Sequence, residues 1–121
     1  MNLALVLCAG ALGAVARHGL DLGLRRWFPD GPSPGILVAN LLGSFVLGVV
    51  VGAAATRSLD ESVRLAVGTG FCGAFTTFST FSAQLAGMVE RRERVALMRW
   101  TAFMVIGGGV ASALGVAIGR M

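Results

Sequence analysis

No lysine occurs in this chain, and the ten basic residues behind its formal charge of +4 are all arginine. They sit in short connections between apolar runs rather than along one amphipathic face, which excludes a nucleic-acid-binding surface. Acidic residues are scarce as well, six in all, and none lies inside an apolar run, so a proton-coupled pump has no membrane-embedded carboxylate to work with. The two cysteines, Cys8 and Cys72, fall in different runs without CxxC or Cys/His spacing. That rules out a disulfide or zinc framework and leaves them as small packing residues. His18 is the single histidine, with no HxxxH pattern and no triad partners. No stretch between the runs is long enough to fold as a soluble catalytic domain.

What the chain does have is apolar length: 55% of its 121 residues are hydrophobic and only 13% are charged. The charges fall between four long uncharged runs, as expected when a bilayer excludes ions from the runs. The pattern predicts one all-α integral membrane domain over residues 1–121, with spans near 2–20, 35–56, 65–89 and 100–119. The uncharged part of the first run, Met1 to Ala16, gives about 24 Å of helix, short for a hydrocarbon core of about 30 Å, so the helix is expected to continue past Arg17. Ala14-Val15-Ala16 resembles a signal-peptide cleavage site, but the positive n-region is missing, and this segment is read as a retained span. Gly31-Pro32-Ser33-Pro34 marks the first connection, and Trp27 and Trp100 fit interfacial anchors.

Small residues recur every four positions in two spans: Asn40, Ser44, Gly48 and Gly52 in the second, and Gly108, Ser112, Gly115 and Gly119 at nearly the same spacing in the fourth. Such stripes let helix backbones approach closely, and Asn40 is the polar exception among them. The third run is different. Gly68, Gly70, Gly73, Thr76, Thr77, Ser79, Thr80 and Ser82 crowd its middle. Glycine lowers helix propensity and hydroxyls compete for backbone hydrogen bonds, so the run reads either as a kinked helix or as a broken one. Inside a membrane a break is tolerated only within protein or beside water, where its freed carbonyls and amides can hold ions. Phe71, Phe75, Phe78 and Phe81 are spaced as a packing ridge; their electropositive ring edges are equally suited to a small anion.

Over nearly its whole length the chain resembles the Fluc, or CrcB, fluoride channels. The resemblance rests on Gly13-Ala14-Val15-Ala16-Arg17, on Ala39-Asn40-Leu41-Leu42-Gly43-Ser44-Phe45 and, most specifically, on Gly70 through Ser82. It implies a dual-topology antiparallel dimer of four-helix subunits, with two fluoride pores along the interface and a break in the third helix. It also implies that Asn40, Phe78 and Phe81 line a pore, that Ser79, Thr80 and Ser112 add hydroxyls, and that Arg17 stands near the pore entrance. Backbone carbonyls of Gly73 and Thr76 would hold a structural sodium ion, consistent with the preference of hard cations for oxygen. The implied role is passive leakage of cytoplasmic fluoride across the cell membrane, without enzymatic activity. Ala74-Phe75, His18 and the hydroxyl-poor fourth span depart from the usual pattern of that family.

Seven arginines (Arg17, Arg25, Arg26, Arg91, Arg92, Arg94, Arg99) flank the first and third connections, against three (Arg57, Arg64, Arg120) on the other side. The positive-inside rule alone would put those connections in the cytoplasm and both termini outside. It also leaves open a heterodimer with an oppositely oriented paralogue beside the favoured homodimer. Two rival readings are a small four-helix multidrug transporter, which wants an embedded carboxylate, and a noncatalytic assembly subunit, which leaves the Thr/Ser cluster unexplained.

Overall fold

The computed structural model describes residues 2–121, and every regular element among them is helical. Helix α1 spans Asn2–Arg25 and α2 spans Pro34–Thr56. The third span comes in pieces: α3 Glu61–Arg64, a π-helical stretch Leu65–Cys72, α4 Gly73–Phe75 and α5 Phe78–Glu90. Helix α6 spans Arg94–Gly119. Three of these, α1, α2 and α6, are each long and apolar enough to cross a bilayer unbroken. The third crossing is made by the interrupted segment, giving a multi-pass membrane protein.

Local chemistry sets the ends. Pro34 opens α2, where its fixed φ and missing N–H cost nothing. Asp60 caps α3 by accepting the Ser62 N–H at 2.8 Å. Helix α1 runs on to Arg25, further than the uncharged run indicates, because Asp21 and Arg25 lie one turn apart and pair at 3.1 Å on its surface. Helix α6 likewise starts at Arg94, ahead of Trp100, so most of the arginine-rich connection is itself helical. The α5–α6 turn is tight: Arg92 takes a φ of 57°, and Arg91 donates to Glu93 at 2.9 Å. That hydrogen bond and the Glu93 charge push the Arg91 guanidinium above its usual range.

Few apolar side chains are fully buried, namely Ile36, Ala39, Cys72, Phe75, Phe81 and Met88. Backbone contact takes the place of a large core. Helix α2 packs chiefly on α6, and α1 on the π-helical stretch. A Cβ at Gly48 would collide with the Ser112 carbonyl, one at Gly115 with the Phe45 carbonyl, and one at Gly119 with the Val49 carbonyl. On the other side, a Cβ at Gly13 would strike the Phe71 carbonyl, and one at Gly70 would stand 2.7 Å from the Val6 carbonyl. Between helices in a bilayer, where hydrophobicity drives little association, such close approach supplies the van der Waals contact. Leu3, Leu7, Leu12 and Val15 on α1 and Phe103, Val105, Ile106 and Val110 on α6 point outward, free to face lipid or another subunit.

Candidate functional site

The third span breaks at Thr76 and Thr77, whose backbones are extended (φ −88°, ψ 155° and φ −150°, ψ 118°). The Thr76 N–H still closes onto the Cys72 carbonyl at 3.0 Å, but the Thr76 carbonyl and both backbone groups of Thr77 need partners outside the helix. Asn40 supplies both for Thr77. Its Oδ1 accepts the Thr77 N–H at 2.8 Å and its Nδ2 donates to the Thr77 carbonyl at 3.0 Å. The Thr76 carbonyl accepts from an Arg17 guanidinium nitrogen at 3.4 Å. The Thr76 hydroxyl bonds back to the Cys72 carbonyl at 2.8 Å. Asn40 thus fixes the break from α2, and Arg17 from α1.

Thr77 also starts the next helix. Its hydroxyl oxygen accepts the Thr80 N–H at 3.4 Å and lies 3.3 Å from both the Ser79 and Thr80 hydroxyls. The N-terminus of α5, carrying partial positive charge, opens at the break. An unbroken helix would close the Thr77 N–H onto the Gly73 carbonyl; because Asn40 takes that N–H, the Gly73 carbonyl is released.

A groove of about 490 Å³ runs beside the break. Asn40, Gly73, Thr76, Phe78 and Phe81 line it together with Thr77 and Ser44. No acidic or basic side chain does. Phe81 is buried, at 5% exposure, whereas Phe78 at 83% projects from the outer face of the chain. Gly73, Ser79 and Thr80 are exposed on that face too.

Other expected positions are arranged differently. Arg17, expected near a pore entrance, is half-buried at the break itself. Ser112 lies where α6 crosses Gly48, and the hydroxyl that reaches the groove is that of Ser44, across from Gly108. The four phenylalanines form no continuous ridge, because the break divides them. Phe71 and Phe75 stack at 5.3 Å before it, and Phe78 and Phe81 diverge after it. Sequence periodicity missed the paired use of Asn40, whose one signal was an amide in a stripe of small residues.

Chemically, the groove offers amide and hydroxyl groups, two aromatic rings and a helix N-terminus, with no fixed charge on its lining. Together with the interrupted span, this defines a multi-pass membrane protein built around a neutral polar site. Comparison with known proteins gives the family. The family model described as CrcB-like protein, Camphor Resistance (CrcB) matches residues 4–116. The chain is 39% identical over 120 residues to fluoride-specific ion channel FluC 1 of Halalkalibacterium halodurans, covering 95% of this chain and 94% of that protein. It is 41% identical over 113 residues to fluoride-specific ion channel FluC of Nitrosomonas europaea, covering 93% of this chain and 88% of that one. A third relative, the FluC channel of Phenylobacterium zucineum, is 45% identical over 92 residues, 74% and 72% of the two chains. The chain belongs to the CrcB family.

Proposed function

We propose that this chain is the subunit of a fluoride-selective channel that carries the ion passively down its gradient and so lowers cytoplasmic fluoride. The observation that carries the reading is the break at Thr76 and Thr77, held open by Asn40 beside a groove of about 490 Å³. The relatives named as fluoride-specific ion channels supply the ion's identity. Fluoride is small and strongly hydrated, and conduction requires donors that replace its water without trapping it. Asn40 uses one N–H on Thr77 and has a second for the groove. Phe78 and Phe81 present ring edges, and Ser79 and Thr80 add hydroxyls along the route, whereas Ser112 lies outside the groove lining and Ser44 stands in its place.

The working assembly is an antiparallel dimer. Gly73, Phe78, Ser79 and Thr80 are exposed in the single chain near the middle of a span, where hydrocarbon would strand the polar ones. A second subunit covers them and completes the pore. With Arg17 placed at the break, the flanking arginines stand at six against three, a bias that a homodimer inserted both ways has to overcome. An oppositely oriented paralogue remains the alternative partner.

A structural sodium ion fits the residues present. The Gly73 carbonyl has lost its helical N–H, the Thr76 carbonyl has only a long bond from Arg17, and no cluster of three or more His, Cys, Asp or Glu occurs among the described residues. Backbone carbonyls of Gly73 and Thr76 would hold such an ion, which would supply a fixed positive charge.

The chain is a channel rather than an enzyme or a multidrug transporter, whose mechanism needs a carboxylate that the groove lacks. Fluoride efflux from liposomes containing only this purified chain, followed with a fluoride electrode and with chloride as control, tests the reading. Rapid fluoride-selective efflux is expected. No efflux from well-folded protein, alone or with an oppositely oriented paralogue, would sink it.

A further inference from the structure

Helix α5 ends on a residue that its turn does not favour. The Glu93 N–H closes onto the Met88 carbonyl at 2.9 Å and the Arg92 N–H onto the Val89 carbonyl at 3.1 Å, the paired bonds of a helix that turns off through the left-handed region. The turning residue is Arg92, at φ 57°. Glycine is the usual occupant there, because a Cβ crowds the following carbonyl. The Arg92 side chain returns nothing to the fold for this cost, having no ion pair among the described residues.

It lines a cavity of about 480 Å³ instead, with Arg94, Met88, Val89 and Leu97. The lining divides by chemistry into two exposed arginines and three apolar side chains, of which Met88 is fully buried. Val95 and Met98, each 71% exposed, continue the apolar surface along α6. The other charges of the turn are engaged elsewhere or absent from the cavity. Glu93 is held by Arg91 at 2.9 Å, and the Arg91 guanidinium lies back over Gly87, where an added Cβ would stand 3.0 Å from its Nη1. Glu90 is outside the lining, and the first turn of α6 carries no acid. The charges of Arg92 and Arg94 are therefore uncompensated.

We propose that this cavity binds an anionic phospholipid, with the phosphate on Arg92 and Arg94 and the start of an acyl chain against Val89, Leu97 and Met88. Guanidinium forks suit phosphate oxygens, and basic pockets at the ends of membrane helices suit lipid headgroups. Two uncompensated cations disfavour a headgroup that carries a cation of its own. A soluble anion would satisfy the arginines but leave the apolar wall uncovered. The opposite end of the chain has no counterpart: there Arg64 lines a cavity without a second arginine, and Asp60 and Glu61 precede it. The site needs only the membrane placement of α5 and α6, and it holds whether or not the chain carries fluoride.

The test is native mass spectrometry of the purified chain from neutral detergent micelles containing phosphatidylglycerol and phosphatidylcholine in equal amounts. The unmodified chain should retain phosphatidylglycerol in preference. Arg92→Gln/Arg94→Gln should lose at least about tenfold of that preference, whereas Arg57→Gln/Arg64→Gln at the opposite end should keep it. No preference in the unmodified chain, or equal losses in the two double variants, overturns the site. Arg92→Gly separates binding from folding. It should raise the thermal midpoint in phosphatidylcholine micelles, because glycine suits the left-handed turn, and yet weaken phosphatidylglycerol retention. Retention equal to that of the unmodified chain would remove Arg92 from the site and overturn the proposal. Inorganic phosphate should leave the bound lipid in place; its displacement would mark a soluble-anion site and overturn the lipid assignment.

Discussion

Replacing Asn40 by leucine, close in volume, removes both bonds that hold Thr77: the one from its N–H at 2.8 Å and the one to its carbonyl at 3.0 Å. Each part-buried backbone group left unmatched costs about 1 to 3 kcal/mol, so the break loses about 2 to 6 kcal/mol of local stability. At 1.4 kcal/mol per decade, even the lower figure raises the local opening equilibrium at least about 30-fold. Hydrogen exchange on protein in liposomes reads this directly. The Thr77 amide should exchange at least about 30-fold faster in Asn40→Leu, while amides within α2 and α6 keep their protection. Fluoride efflux should fall with it. Asn40→Asp separates the two bonds, since a carboxylate still accepts the Thr77 N–H but donates nothing to the carbonyl. Its Thr77 amide should stay protected while its negative charge blocks the anion. Unchanged exchange at Thr77 in Asn40→Leu would refute the claim that this side chain fixes the break.

Phe81→Ile, with dimer assembly intact, should strongly reduce fluoride flux; an unchanged rate would remove Phe81 from the pore. Thr77→Val deletes the cap of α5 and should cost about 1 kcal/mol, seen as faster exchange at the Thr80 amide, and an unaltered Thr80 would show that the hydroxyl caps nothing. Gly115→Val places a side chain against the Phe45 carbonyl and should prevent α2 and α6 from closing, read as loss of monodisperse protein in detergent. Asp21→Asn breaks an exposed i,i+4 pair and should shift thermal inactivation by no more than about 1 kcal/mol equivalent, with flux unaffected.

Much of this was legible in the residues because the membrane reads them so coarsely. Charge-free runs marked the crossings, and the four-residue stripes of Gly48, Gly52, Gly115 and Gly119 marked the pair of helices that meet backbone to backbone. The glycine and hydroxyl cluster marked the third span as irregular. What it left open was the kind of irregularity. Helical periodicity assumes a continuous rise, so it drew Phe71, Phe75, Phe78 and Phe81 as one ridge; two extended residues reset the phase and sent Phe78 outward and Phe81 inward. The π-helical stretch Leu65–Cys72 carries no composition that separates it from an α-helix. Charge-based boundaries also stopped α1 and began α6 short of their true ends: Asp21 and Arg25, one turn apart, extend α1 as readily as they end a hydrophobic run, and α6 takes in Arg94 and Arg99 ahead of Trp100.

The site's electrostatics follow from where charge has been withheld. Fluoride needs attraction to give up its water, yet a full cation on the groove wall would hold it and stop the current. The chain keeps arginines at the margins, turning Arg17 onto the Thr76 carbonyl and leaving Arg92 and Arg94 exposed near the α5–α6 turn. What faces the groove are weaker sources of positive potential: the opened N-terminus of α5, the spare N–H of Asn40 and the edges of aromatic rings. The Asn40 amide is fixed by its backbone bonds and the Phe81 ring by burial, so the attraction is spread over successive positions instead of concentrated at one. A break in a helix is the economical way to produce that pattern, because it creates oriented dipoles inside the membrane without adding an ion. The same step exposes Gly73, Ser79 and Thr80, and in the proposed dimer their need for cover would tie conduction to assembly, the surface that is costly in lipid being the one the second subunit buries.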